Sequence, residues 1–154
     1  MKEWNTGSLL TAWSGLATLL VSFATGPAAF AQEFPVSLPP RNDIRIENRV
    51  PIPMRDGVTL YADVYRPAQD GQYPVIVSRT PYSTERFPSA YAAAVYFSRR
   101  GYVYVFQDVR GRHESEGRWE PLRDDIEDGY DTIEWAAGQR WSNGKVGMEG
   151  GSYL

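Results

Sequence analysis

The sequence predicts an α/β fold in which an antiparallel hairpin leads into a parallel sheet. Three observations carry this. Two continuous apolar runs, at 74–78 and 102–106, flank a helix-forming stretch, and a strand–helix–strand unit of that length makes a parallel crossover. Ahead of them, two alternating segments meet across Arg55-Asp56-Gly57, the pattern of a β-hairpin. Behind them, Val146-Gly147-Met148 runs into the tight turn Gly150-Gly151-Ser152.

Composition narrows the possible functions. The 154 residues are enough for about one domain. A net charge of -3 offers no electrostatic footprint for nucleic acid, the absence of Cys excludes disulfides and thiolate sites, and a single His excludes a His-rich metal cluster.

The elements follow in order. Residues 1–31 read as a signal peptide. Lys2 gives a small basic start, 9–24 carry no charge, Gly26-Pro27 breaks the helix, and Ala29-Phe30-Ala31 fits a cleavage site. Export to the periplasm or medium is the expectation, with Gln32 as mature N-terminus and no stable membrane anchoring after cleavage. The competing reading is an uncleaved anchor, for which the apolar run is short against the ~20 residues of a span. Pro35, Pro39 and Pro40 make 32–43 an extended linker. Ile44, Ile46, Asn48, Val50, Ile52 and Met54 then alternate with polar residues, and Pro51 and Pro53 place that strand at a sheet edge. Its partner spans 58–65.

After the 74–78 strand, Ser89 is the expected cap of a helix ending at Arg99-Arg100, with Gly101 closing it. In open parallel sheets ligands sit beyond the carboxyl ends of the strands, so Tyr82, Asp108, Arg110 and Ser152, which follow such ends, are expected on one rim. Residues 109–117 form a polar loop holding His113, read as a solvated residue rather than a general base. A helix is expected over 123–138, with Ile126, Tyr130, Ile133 and Ala137 on its packed face. The acids Asp124, Asp125, Glu127 and Asp128 at its start suit the helix dipole better than a Mg²⁺ or Ca²⁺ site. Trp135 and Trp141 are expected to pack the helix on the sheet.

Gly150-Gly151-Ser152 is the front of a Gly-x-Ser-x-Gly nucleophile elbow, in which a small residue two positions earlier permits the strained turn that lifts a serine hydroxyl above the sheet. Taken alone, Gly-Gly-Ser more readily describes a flexible linker. Four blocks in order decide between the two: Met54-Arg55-Asp56-Gly57-Val58-Thr59-Leu60; Arg79-Thr80-Pro81-Tyr82; Gln107-Asp108-Val109-Arg110-Gly111; and Trp141-Ser142-Asn143-Gly144-Lys145-Val146-Gly147-Met148 leading to Gly150-Gly151-Ser152-Tyr153. Together, over residues 45–154, they resemble the CocE/NonD hydrolases, the cocaine-esterase-like group related to Xaa-Pro dipeptidyl-peptidases and α-amino-acid ester hydrolases.

The resemblance implies the N-terminal portion of an α/β-hydrolase fold over 44–154 and a Ser-His-Asp triad. Ser152 corresponds to the nucleophile, the Tyr82 hydroxyl to one oxyanion-hole donor, and the Tyr153 backbone N–H to the second. No cofactor is implied. The implied substrates are small esters, amides or short peptides, including Xaa-Pro peptides. The triad acid and base match nothing in the sequence, and the closing Gly of the elbow would be residue 155. The expectation is therefore a fragment, inactive and poorly folded by itself. A non-catalytic exported remnant or interaction piece is the alternative.

Overall fold

The structure, a computed structural model, describes residues 40–83 and 88–152. The expected signal peptide, most of the 32–43 linker and Tyr153 lie outside the described residues. Five strands form one sheet: β1 (Ile44–Pro53), β2 (Thr59–Pro67), β3 (Tyr73–Thr80), β4 (Val103–Asp108) and β5 (Ser142–Met148). Their order is β1-β2-β4-β3-β5. Helix α1 (Pro88–Ser98) links β3 to β4, and α2 (Asp125–Ala137) links β4 to β5. The pairings β1–β2 and β2–β4 are antiparallel, and β3–β4 and β3–β5 are parallel. Both crossovers return to the sheet beside β3, which places the carboxyl ends of β3, β4 and β5 on one rim.

β1 occupies the sheet edge, as its prolines require, but its alternation does not run unbroken. The register shifts between Glu47 and Val50, and Arg49 takes φ 55. This bulge adds one residue and changes the phase. Ile46 is left exposed, while Val50 and Ile52 turn to the core.

The sheet has an apolar layer on each face. Ile52, Leu60, Ala62, Val64, Val75, Val77, Val103 and Val105 are buried beneath α2, with Trp135 and Trp141 packed edge to face at 5.9 Å. Each fully buried branched side chain contributes about 1.5–3 kcal/mol. On the other face, Tyr104 and Phe106 pack against Ala94 of α1. α1 starts at Pro88, so Ser89 lies inside the helix rather than capping it. Proline suits a first helical turn because the N–H it lacks has no partner there. Gly101, at φ +88, turns the chain out as expected.

α2 corrects the sequence reading. Ile126 is 80% exposed and Tyr130 58%, whereas Asp128, Gly129, Thr132 and Ala136 are buried. The helix is rotated so that its polar stripe faces the sheet. The reason is what it meets there: the inward positions after Val77 and Val105 are Arg79 and Gln107, which sit opposite each other in register. β5 is also longer and more open than the 146–148 run suggested, pairing with β3 on one side and burying only Ser142 fully.

Candidate active site

Residues from three strand ends converge on one hollow. Its wall includes Pro81 after β3, Val109 after β4, Met148 at the end of β5 and Ser152 beyond it, with Leu122 ahead of α2 and Asp125 at its start. Ser152 has φ +61, a left-handed conformation that costs a residue with a side chain about 1–2 kcal/mol. The turn before it is tied down. Glu149 N–H donates to the Val77 carbonyl at 3.0 Å, and the Glu149 carboxylate accepts from the Tyr104 hydroxyl. Burial and then this bond push the Tyr104 hydroxyl well above its ordinary pKa.

Tyr82 follows Pro81 at the same rim and is 46% exposed. Its backbone is fixed at each step. Thr80 carbonyl accepts from Val109 N–H at 3.0 Å, and Tyr82 N–H donates to Thr80 Oγ1 at 3.1 Å. Pro81 carbonyl accepts from Arg112 Nε at 3.0 Å and lies 3.1 Å from His113 Nε2. His113 is therefore anchored, although its side chain is open to solvent.

Below the rim lies a polar network that the sequence reading did not assemble. Arg110 binds Asp128 through two bonds, Nε to Oδ2 at 3.0 Å and Nη2 to Oδ1 at 2.6 Å. The two side chains are 13% and 2% exposed. A third bond joins Arg110 to Asp56 at 2.7 Å. These partners raise the Arg110 pKa above its ordinary value, with Asp128 contributing most. Arg79 donates to Gln107 at 2.7 Å and to the Asp125 carbonyl at 2.9 Å. Gln107 donates in turn to Thr132 at 2.9 Å. Asp124, Asp125 and Asp128 at the start of α2 thus face guanidinium groups, a pairing that adds to the helix dipole, whereas Glu127 is exposed. One signal for this network was in the sequence. Arg79 and Gln107 stand at the inward parity of two buried strands, where a polar side chain requires a partner.

Arg110 does not open onto the hollow at Ser152. Asp108 points to the other face, towards a second hollow shared with Arg49 and Asp63. The strand ends thus share one rim, with Asp108 in register with Thr80, but the hollow at Ser152 is lined by Pro81 and by none of Tyr82, Asp108 and Arg110. Burial pushes the Asp108 carboxyl up to about 6, against the opposing influence of His113 and a backbone bond from Glu114. Because the folded-state value lies above the ordinary 3.8, stability is lost as pH rises from about 4 to about 6, and the loss is complete above 6. Asp108→Asn is expected to stabilise the full-length gene product by about 2 kcal/mol at pH 8 and to change little at pH 4. A melting difference that is the same at both pH values refutes this.

A sheet ordered β1-β2-β4-β3-β5, with a serine forced to positive φ just past β5, defines the N-terminal part of an α/β-hydrolase fold. Comparison with known proteins agrees. Residues 56–154 match the X-Pro dipeptidyl-peptidase (S15 family) domain. Over 112 residues the chain is 43% identical to the cocaine esterase of Rhodococcus sp. (strain MB1 Bresler), covering 71% of this chain and 20% of that protein. A CocE/NonD family hydrolase from Staphylococcus aureus superposes with a TM-score of 0.65 at 32% identity, over 72% of this chain and 24% of that one. An α-amino acid ester hydrolase gives 0.61 at 33%, over 90% and 25%. The chain belongs to the X-Pro dipeptidyl-peptidase (S15) family. It spans about a fifth of the length of the cocaine esterase it matches.

Proposed function

We propose that the protein is an exported serine hydrolase of the CocE/NonD type that cleaves a small ester, an amide or a short peptide, Xaa-Pro peptides included, through an acyl-enzyme on Ser152. The observation that carries this is the φ of +61 at Ser152, immediately beyond a parallel strand. A strained serine at that position is what a nucleophile elbow requires. The kinship with named esterases and hydrolases supports the same reaction class.

In this mechanism Ser152 Oγ attacks the substrate carbonyl while a general base takes its proton. The carbonyl oxygen becomes an oxyanion held by the Tyr82 hydroxyl and the Tyr153 N–H. The leaving group departs with a proton returned by the base, and water then releases the acyl group by the same steps in reverse. The base and its acid partner are assigned to no residue of this sequence. His113, the only imidazole, lies with Nε2 at 3.1 Å from the Pro81 carbonyl and is given no part in proton transfer.

The test is fluorophosphonate labelling of the full-length gene product. Label recovered on the peptide carrying Ser152, and lost in Ser152→Ala, is the expected result. Label that persists in that variant overturns the assignment. Export is tested separately: a secreted protein that begins at Gln32 is expected, and one retained in the cytoplasm with Met1 intact rules out the signal peptide.

A further inference from the structure

We propose that Arg112 and His113 are positioning residues that aim Tyr82 by clamping the carbonyl of Pro81. The inference rests on Tyr82 being an oxyanion-hole donor, as proposed above.

The geometry concerns a single peptide plane, Pro81 to Tyr82. Its carbonyl accepts from Arg112 Nε at 3.0 Å and faces His113 Nε2 at 3.1 Å. A carbonyl only accepts, so Nε2 carries the proton and donates. The N–H of the same peptide donates to Thr80 Oγ1 at 3.1 Å. A peptide unit is rigid and planar, so holding it at both polar ends fixes the Tyr82 Cα and its N–Cα bond and leaves the backbone turn about that bond and the side-chain torsions to set the ring. Tyr82 as a residue is 46% exposed at this turn, so the backbone clamp acts on a position that the core does not enclose. The chain turns sharply just beyond, with Ser83 at φ +72.

The loop bearing the two donors is itself rigid. Ser115 Oγ donates to the Asp108 carbonyl at 2.7 Å, and Gly111 N–H to the Glu116 carbonyl at 2.8 Å. The Arg112 guanidinium lies over the Trp119 ring at 4.6 Å. Gly111 has φ +67, and a Cβ there would fall 2.1 Å from the backbone nitrogen of Trp119, so the loop closes only around glycine. The two donors occupy both lone pairs of that carbonyl. One of them is a charge-assisted guanidinium bond, of the stronger kind. The clamp thus joins the 109–117 loop to the turn that carries the oxyanion donor.

The test is a double-mutant cycle in the full-length gene product, with p-nitrophenyl acetate as the probe. Arg112→Ala combined with His113→Ala is expected to lower kcat about tenfold, with KM changed less than about twofold, because a misaimed donor weakens the transition state rather than ground-state binding. His113→Gln, which keeps an N–H donor, is expected to restore most of the His113 share. In a Tyr82→Phe background, itself about a hundredfold slower, the clamp substitutions should cost less than about twofold more. Should the double variant not fold, His113→Ala alone carries the test, with about a threefold loss in kcat that disappears in the Tyr82→Phe background. If clamp substitutions cost nothing, or cost the same with and without the tyrosine hydroxyl, the clamp is overturned while the oxyanion assignment stands. If Tyr82→Phe itself leaves kcat unchanged, the oxyanion assignment fails and the clamp fails with it.

Discussion

Ser152→Gly in the full-length gene product is expected to lower ester turnover by about 10⁴- to 10⁶-fold while raising stability by about 0.5–1 kcal/mol. The first effect follows from the proposed role. Without a nucleophile the acyl-enzyme route closes, and loss of a serine of this kind removes nearly all rate enhancement beyond binding and oxyanion stabilisation. The second follows from the backbone. Ser152 holds φ +61, which costs a side-chain-bearing residue about 1–2 kcal/mol, and glycine relieves that cost while losing about 0.5–1 kcal/mol to its freer unfolded state. Ser152→Ala should abolish turnover equally without the gain, because alanine keeps the Cβ that causes the strain. Turnover and melting temperature of the two variants check both effects together. A serine in a linker predicts neither, and substantial activity in either variant removes Ser152 from the chemistry.

Which parts of this site were legible in the sequence depends on how local the signal is. The hairpin and the two buried strands are written in neighbouring residues, and they stand where they were expected. The face of α2 is not written locally. Ile126 and Tyr130 form the more apolar stripe, yet they are 80% and 58% exposed, because the opposite stripe meets Arg79, Gln107 and Arg110. Periodicity identifies a helix but assumes an apolar neighbour, and here the neighbouring strand ends are polar. The bulge at Arg49 escaped for a related reason: an inserted residue changes the phase of a strand without changing its composition. The clamp on Pro81 was invisible because it joins positions some thirty residues apart through a backbone carbonyl, which no side-chain pattern reveals.

The same network carries the second large prediction. Asp128→Ala is expected to destabilise the full-length gene product by about 3–5 kcal/mol, enough to populate unfolded protein at physiological temperature. Asp128 is 2% exposed and accepts both bonds of the Arg110 fork, with Arg79 at 3.8 Å. Its removal leaves a mostly buried guanidinium beside an apolar methyl group, with Asp56 at 2.7 Å and Asp124 at 4.0 Å, both part-exposed, as the carboxylates still paired with it. Asp128→Leu combined with Arg110→Met is expected to recover most of that loss, since an apolar pair of similar size carries no desolvated charge. Arg79 keeps Gln107 and the Asp125 carbonyl in that double variant, so the strand end beneath the Thr80-Pro81-Tyr82 turn stays held. Thermal melts of the parent, Asp128→Ala, Asp128→Leu, Arg110→Met and the pair decide the matter: two single losses that simply add in the pair mean that Arg110 and Asp128 are not coupled. The pairing also has a geometric consequence. Arg110 opens the loop that carries Arg112 and His113, and its fork on α2 fixes where that loop begins. A double variant that melts like the parent but turns over ester more slowly would therefore place the value of this ion pair in aiming the loop rather than in holding the fold together.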